Sequence, residues 1–234
     1  MSADRPQTRP QQESPQESQS PPQSDSPQES QSPNLLGIRI THRAMRADAR
    51  RLAEAANAIA DGRRPCDGRR AEAIRGFVVQ FCDGIHHHHT VEDEVLWPII
   101  VRSAGAEVDL SDLTEDHSEL DPLLNEIRAA AKTPADLAVP LTRLADLLDE
   151  HIEEEERLIF PIIERHVSVE DWEHVENAAR EGGNIRFDLP RIEQYAKPAE
   201  LVELRKLAGP VLIVFLALLR PGHRRRQRLI FGSA

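Results

Sequence analysis

The chain has 234 residues, a formal net charge of −11 and only two cysteines. This length is enough for one sizeable domain with tails, and two cysteines exclude a disulfide framework and suit a reducing compartment. The acidic balance argues against general nucleic-acid binding. An aromatic content of 4%, with abundant Leu, Ala, Glu and Arg, favours an all-α fold.

Ser, Pro, Gln and Glu dominate residues 1–34, which offer almost no apolar side chain for burial. The segment Ser-Pro-Gln-Glu-Ser-Gln-Ser-Pro occupies residues 14–21 and recurs at residues 26–33. This composition predicts a disordered tail. Because the segment has no apolar core of the kind that secretory signal peptides carry, we expect a cytoplasmic protein.

From residue 35 onward, apolar side chains recur at helical spacing, and Gly, Pro and capping residues mark where helices begin and end. The predicted helices cover approximately residues 35–60, 71–103, 110–131 and 133–166, with a shorter fifth at 168–182. Four long amphipathic helices with short connections predict an up-down-up-down four-helix bundle over residues 35–166.

The second and fourth predicted helices carry the same motif, and the two copies align without a gap. His88 is followed four residues later by Glu92, and His151 by Glu155, and each copy closes on aromatic-Pro-Ile-Ile. A spacing of four places imidazole and carboxylate on one helix face, about 6 Å apart along the axis. Such a pair on a buried face requires a cation, so each copy predicts metal ligands. The proline of each tail should kink its helix or end its regular part.

Single histidines on the first and third predicted helices, His42 and His117, complete the candidate set. Either one alone would be interpreted as a hydrogen-bonded core residue, but an antiparallel bundle can bring both to the level of the two motif pairs. Four imidazoles and two carboxylates suit iron, manganese or zinc, and they are enough for two ions if the carboxylates bridge.

These residues resemble the haemerythrin-like (HHE) cation-binding family over roughly residues 35–166. The family carries paired His-(His)-x-x-Glu-Glu motifs before an aromatic-Pro, with single histidines on the first and third helices. The resemblance implies a four-helix bundle around two iron ions joined by carboxylate and oxo or hydroxo bridges; manganese and zinc are the alternatives. By position it implies terminal ligands at His42, His88, His117 and His151 and bridging carboxylates at Glu92 and Glu155.

One position departs from the oxygen-carrying haemerythrins, which have a fifth histidine one helical turn after the ligand on the third helix. Asp121 occupies that position here. The ligand that the fifth histidine would provide must therefore come from Asp121, from a water or from His89 on the second helix. The departure counts against a simple oxygen carrier. We expect a protein that binds or senses O2, NO, peroxide or iron; the alternatives are a di-iron enzyme of peroxide decomposition and a bundle in which metal is only structural.

The remaining residues, 167–234, predict a helical extension with an apolar run and a basic end. Residues 210–219 are apolar but too few to span a bilayer, and five arginines follow them before residue 229. One interpretation is peripheral contact of residues 210–228 with an anionic membrane. The favoured interpretation is packing against the bundle or a partner chain. Nucleic-acid contact by the arginines is the weakest of the three, given the acidic balance elsewhere.

Overall fold

The computed structural model describes Met1, residues 32–105 and residues 108–232, except for the side chains of residues 207, 208 and 210. Every regular element within these ranges is helical, which confirms the all-α class. Most of the predicted disordered tail, residues 1–34, lies outside the described residues. The helices are α1 (Leu36–Ala60), α2 (Gly68–Val91), α3 (Trp97–Ala104), α4 (Ser111–Ala130), α5 (Ala138–Leu158), α6 (Phe160–His166), α7 (Val169–Gly182), α8 (Ile185–Tyr195) and α9 (Pro198–Phe231).

The second predicted helix, residues 71–103, is interrupted inside its motif. A π-helical turn over Glu92–Leu96 separates α2 from α3, and the backbone N–H of Trp97 bonds to the carbonyl of Glu92, five residues back. Pro98 lacks the N–H that a continuous α-helix would use at this point. The irregularity expected near this proline is therefore a π turn.

The fourth predicted helix, residues 133–166, is divided in a different way. A 3-10 turn over Pro134–Leu137 leads into α5, and a break at Ile159 separates α5 from α6. Pro161 lies in the first turn of α6, where a missing N–H costs no helical hydrogen bond. The two motif copies therefore align without a gap in sequence but differ in backbone conformation.

The C-terminal third contains more regular helix than the sequence pattern predicted. α7 begins after Ser168, whose side chain accepts a hydrogen bond from the N–H of Asp171, as the capping signal indicated. α8 was not predicted, because Pro190 in its interior and its mixed polarity obscure the helical period. α9 begins at Pro198 and continues through the apolar run and the basic end of the predicted extension, and only Gly209, at φ 65°, departs from helical angles within it.

α1 packs against α5, α5 against α4, and α4 against α2. The buried apolar side chains form two clusters, one around Phe77 and the other around Trp97. Buried polar side chains separate the clusters along the helices. Leu35, directly before α1, belongs to the Trp97 cluster, Met45 on α1 belongs to the Phe77 cluster, and the buried His42 lies between them.

Charged contacts hold α8 and the first turn of α9 against α1. Asp48, fully buried on α1, accepts hydrogen bonds from Nε of Arg191 at 2.6 Å and from the hydroxyl of Tyr195. Arg43 donates to both carboxylate oxygens of Glu200 at 2.7 and 2.9 Å. Among the described helices, none combines the length and apolarity needed to cross a bilayer.

Removing the negative charge of Glu200 should destabilise the fold in a pH-dependent way. Pairing with Arg43 lowers the pKa of Glu200 from 4.5 to about 2. The unfolded chain therefore takes up this proton first, and the stabilisation is lost as pH falls from 4.5 towards 2. We expect E200Q to lower the free energy of unfolding by about 0.5–1 kcal/mol near neutral pH.

Urea unfolding of E200Q and of the matched control E203Q, measured from neutral to acidic pH, tests this expectation. Glu203 is an exposed acid on the next turn of α9. The decrease in the free energy of unfolding should occur in E200Q and not in E203Q, and it should become smaller as the pH is lowered. A pH-independent loss would contradict the assigned ion pair.

Candidate metal centre

The six predicted ligand residues converge in the buried polar layer between the two apolar clusters. Seven side chains of this layer form two groups, and within each group one ligand atom per residue lies within 4.8 Å of the others. We call them the three-histidine group and the two-histidine group. The three-histidine group comprises His89, Glu92, His117 and His151, and the two-histidine group comprises His42, His88, Glu92 and Glu155.

Glu92 belongs to both groups, and its two oxygens face different neighbours. Its Oε1 lies 2.9 Å from Nε2 of His88, and its Oε2 lies 3.6 Å from Nε2 of His117. Glu92, the first residue of the π turn, thus lies beside histidines of α1, α2, α4 and α5. A carboxylate placed in this way can contribute one oxygen to each of two cations.

Within each group, the ligand atoms crowd around a common point. In the two-histidine group, Nε2 of His42 lies 3.0 Å from Nε2 of His88 and 3.4 Å from Oε2 of Glu155. In the three-histidine group, the Nε2 atoms of His117 and His151 are 3.2 Å apart. Glu155 thus lies in the two-histidine group, and its bridging role stays a prediction.

Three of the imidazoles are oriented by carboxylates outside the two groups. In each case the Nδ1 faces a carboxylate oxygen, which can only accept, so Nδ1 carries the proton and Nε2 keeps its lone pair for the group. The pairs are His42 with Glu156 at 3.0 Å, His117 with Asp93 at 2.8 Å, and His151 with Asp116 at 3.0 Å.

The aromatic residue of each motif tail also supports a histidine of the layer. The ring of Trp97 stacks on His117 with an interplanar angle of 15°, and Phe160 stacks on His42 with an angle of 16°. Asp93 and Trp97 of the first copy therefore both hold His117. Glu156 and Phe160 of the second copy hold His42 in the same way.

The role of these acids was not predicted, although the sequence carries a signal: an acid directly follows the glutamate in both motif copies. Asp116, which immediately precedes His117, has no counterpart in the repeat and offered no such signal.

His89, which the sequence left as an alternative, joins the three-histidine group. It is 5% exposed, and both of its ring nitrogens lack a hydrogen-bond partner among the described residues. Asp121 lies outside both groups, is exposed, and accepts a hydrogen bond from Nδ1 of His86 at 2.8 Å. His87 also points away, towards the carbonyl of Ala179. Two histidines of the four-residue run therefore face inward and two face outward.

Burial controls the protonation of the layer. It raises the pKa of Glu92 and of Glu155 well above the usual range, and the neighbouring acids Asp93 and Glu92, respectively, add to the effect. Burial also lowers the pKa of His88 to about 3 and that of His151 to about 4, and the proximity of a second imidazole, His117, adds to the effect. Neutral imidazole is the form that binds a metal. The carboxylates, in contrast, need a cation beside them to stay charged.

The unpartnered atoms of the layer fit metal ions. Both ring nitrogens of His89 and both oxygens of Glu92 and Glu155 are buried without hydrogen-bond partners among the described residues. Each such polar atom costs about 1–3 kcal/mol unless something binds it. Imidazole and carboxylate donors suit iron, manganese or zinc. Cys66 and Cys82 are free thiols outside both groups.

Comparisons with known proteins agree with this site. The family model for the Hemerythrin HHE cation binding domain matches residues 37–163. A protein of Nostoc sp. (strain PCC 7120 / SAG 25.82 / UTEX 2576) described as a DNA nickase is 30% identical over 102 residues, which is 44% of this chain and 29% of that protein. Comparison with solved structures gives no significant match. Because the family model covers more than half of the chain and includes all six predicted ligands, this chain belongs to the haemerythrin HHE cation-binding family.

Proposed function

We propose that this protein holds two iron ions in its buried polar layer and uses them to bind or sense O2, NO, peroxide or iron. The observation that carries the proposal is the shared Glu92, whose two oxygens face two separate groups of ligand atoms. Each group would hold one ion. Iron at such a site supplies a reversible change of oxidation state and a coordination position for a small ligand.

We also propose the up-down-up-down order for α1, α2 with its π turn and α3, α4, and α5. The Phe77 cluster takes residues that follow His42 on α1 and His117 on α4, but residues that precede His88 on α2 and, apart from Ile152, residues that precede His151 on α5. Antiparallel neighbours produce this alternation. It would bring ligands from all four helices to one level of the bundle.

The burial of the layer favours a small ligand. His42 and Glu155 have 0% of their surface exposed, and His117 has only 7%. A diatomic molecule or a peroxide needs only a narrow path to such atoms, whereas a DNA duplex cannot reach them. For this reason we do not extend the activity named for the Nostoc relative to this centre.

The charge of the ligand set also favours small electron-rich ligands. Five neutral imidazoles and two carboxylates would leave two divalent ions with a net positive charge. The outer acids Asp93, Asp116 and Glu156 keep the protons of their imidazoles on Nδ1. The Nε2 atoms therefore remain free for metal.

Two alternatives use the same residues: a di-iron enzyme that decomposes peroxide, and a bundle whose metal is purely structural. Anaerobic titration of the ferrous protein with O2, NO and peroxide separates them. A stoichiometric change in the absorption spectrum supports binding or sensing. Many turnovers of peroxide per chain support the enzyme. A structural metal predicts loss of stability on metal removal, with no spectral response to any ligand.

Replacing both motif glutamates should abolish metal binding. Aerobically purified protein should contain roughly two iron ions per chain and show iron-dependent absorption bands. The double variant E92A/E155A should lose both properties, because each cation loses its carboxylate. Elemental analysis and the absorption spectrum provide the measurement.

The matched control for this double variant is E94A/E153A, which removes one exposed acid from each motif copy. It should retain both the iron and the bands. A metal-free wild-type protein, or equal iron in both double variants, would refute the proposed site.

Loss of the outer acids should weaken metal affinity without removing a ligand. We expect D93N and E156Q each to lower affinity by roughly 10–100-fold, because His117 and His42 lose the groups that fix their tautomer and orientation. Competition with a coloured chelator measures this affinity. E94Q, an exposed neighbour of Asp93, serves as the control, and equal affinities in all three variants would contradict the positioning role.

In the metal-free protein, removing the charge of Glu92 should increase stability. The carboxylate is 2% exposed, and burial disfavours its ionised form. We expect E92Q without metal to gain about 1–3 kcal/mol in the free energy of unfolding in weakly alkaline buffer, while E94Q is unchanged. Chemical denaturation with a chelator present measures the difference. A less stable E92Q would mean that Glu92 is satisfied without a cation.

A further inference from the structure

The apolar run of α9 is poorly covered by the rest of the described chain. Residues 211–219 are all apolar, and none of them is buried. Val211, Val214 and Leu218 are 82%, 62% and 74% exposed, respectively. Their spacing of three and four residues places them on one face of the helix. We call these three residues the α9 apolar stripe.

The end of α9, in contrast, packs firmly on the bundle. Ile230 is fully buried, and Phe231 contacts the ring of Phe77 edge-on at 6.1 Å between centroids. The Arg43–Glu200 pair fixes the other end of the helix to α1. The predicted packing of the extension against the bundle thus applies to the ends of α9, while the apolar stripe between them stays exposed.

Positive charge surrounds the stripe. Residues 204–234 contain seven Arg or Lys and no Asp or Glu, in a chain whose formal net charge is −11. Arg220 is paired with Glu193, and Arg226 donates to Gln80. The five remaining cations are exposed: Arg205 and Lys206 precede the stripe, and Arg224, Arg225 and Arg228 follow it. Arg225 lies seven residues after Leu218 and so shares the face of the stripe.

We propose that α9 docks on an anionic lipid surface, with the α9 apolar stripe in the interfacial region and the flanking cations on lipid phosphates. Peripheral helices bind in this way through apolar area combined with attraction to anionic headgroups. The nine apolar residues extend about 14 Å along the helix, which is less than half of a bilayer core. The helix therefore lies in the surface and does not cross it.

By helical spacing, Arg220 and Arg224 lie on other sides of α9 than the stripe, so the groove of about 470 Å³ that they line between α8 and α9 does not face the lipid. Arg225 shares the face of the stripe and is available to phosphate. The acidic remainder of the chain is repelled by an anionic membrane, which orients the protein with α9 towards the lipid.

Charge argues against the other occupants of this face. A second copy docked through the same stripe would bring two sets of cations together, since α9 carries no acid after Glu203 to pair with them. Nucleic acid would use the cations but would leave the apolar stripe in water. An anionic lipid surface satisfies both features at once.

Sedimentation of the full chain with vesicles tests the proposal. We expect binding to vesicles of equimolar phosphatidylcholine and phosphatidylglycerol, weak binding to phosphatidylcholine alone, and weakening at high salt. Each cation near an anionic surface is worth about fivefold in partitioning, so R224Q/R225Q/R228Q should bind about 100-fold more weakly. The control R102Q/R157Q/R180Q removes the same charge from exposed positions on other helices and should bind as the wild type does.

Insertion of the α9 apolar stripe into the lipid can be measured by tryptophan fluorescence. The tryptophan emission of Val214→Trp should shift to shorter wavelength with anionic vesicles, whereas that of Val139→Trp, on exposed α5 surface, should not. The variant V211S/V214S/L218S should fold as the wild type does and bind vesicles more weakly.

Four outcomes would overturn the proposal. One is the absence of wild-type binding to anionic vesicles, and another is an equal loss in the two arginine triple variants. The third is a wild-type dimer that the serine variant converts to monomer while neither binds vesicles. The last is binding of duplex DNA in place of vesicles.

Discussion

Two carboxylates and five imidazoles lie inside the apolar core of this protein, and the rest of the structure is organised around the cost of burying them. Uncharged packing dominates on both sides of the layer, where one cluster surrounds Phe77 and another surrounds Trp97. Within the layer, Glu92 and Glu155 have no hydrogen-bond partner among the described residues, and burial raises their pKa. A pair of cations would convert this unfavourable arrangement into a stabilising one, and folding and metal loading would then be thermodynamically linked.

Much of the fold could be predicted from helical periodicity and capping. The first helix and the fifth were predicted almost to the residue, because apolar spacing and the Ser168 cap are local signals. The interruptions at Glu92–Leu96 and Ile159 were predicted only as irregularities near proline, since the choice between a π turn and a break depends on tertiary packing. α8 was missed because Pro190 breaks the sequence pattern without breaking the helix.

The candidate site was more predictable than the fold details, because its ligands come from a repeated motif. All six predicted residues lie in the two groups. The position of His89 within the three-histidine group, with Asp121 outside it, could not be predicted, because a run of four histidines gives no indication of which two face inward. The outer acids were also overlooked, since a run of glutamates such as residues 153–156 usually forms a solvated face. Only the structure shows that Glu156 turns towards His42.

The contacts that orient His42 and His117 cross between two halves of the bundle region, residues 35–103 and residues 110–166. Asp93 and Trp97, from the first half, hold His117 of the second, and Glu156 and Phe160, from the second half, hold His42 of the first. Neither residues 35–103 nor residues 110–166 therefore provide all of the contacts that orient their own histidines. An ancestral single helix pair, if the motif arose by duplication, would have been complete only as an assembly of two identical chains. The single chain would then correspond to a symmetric dimer joined into one polypeptide.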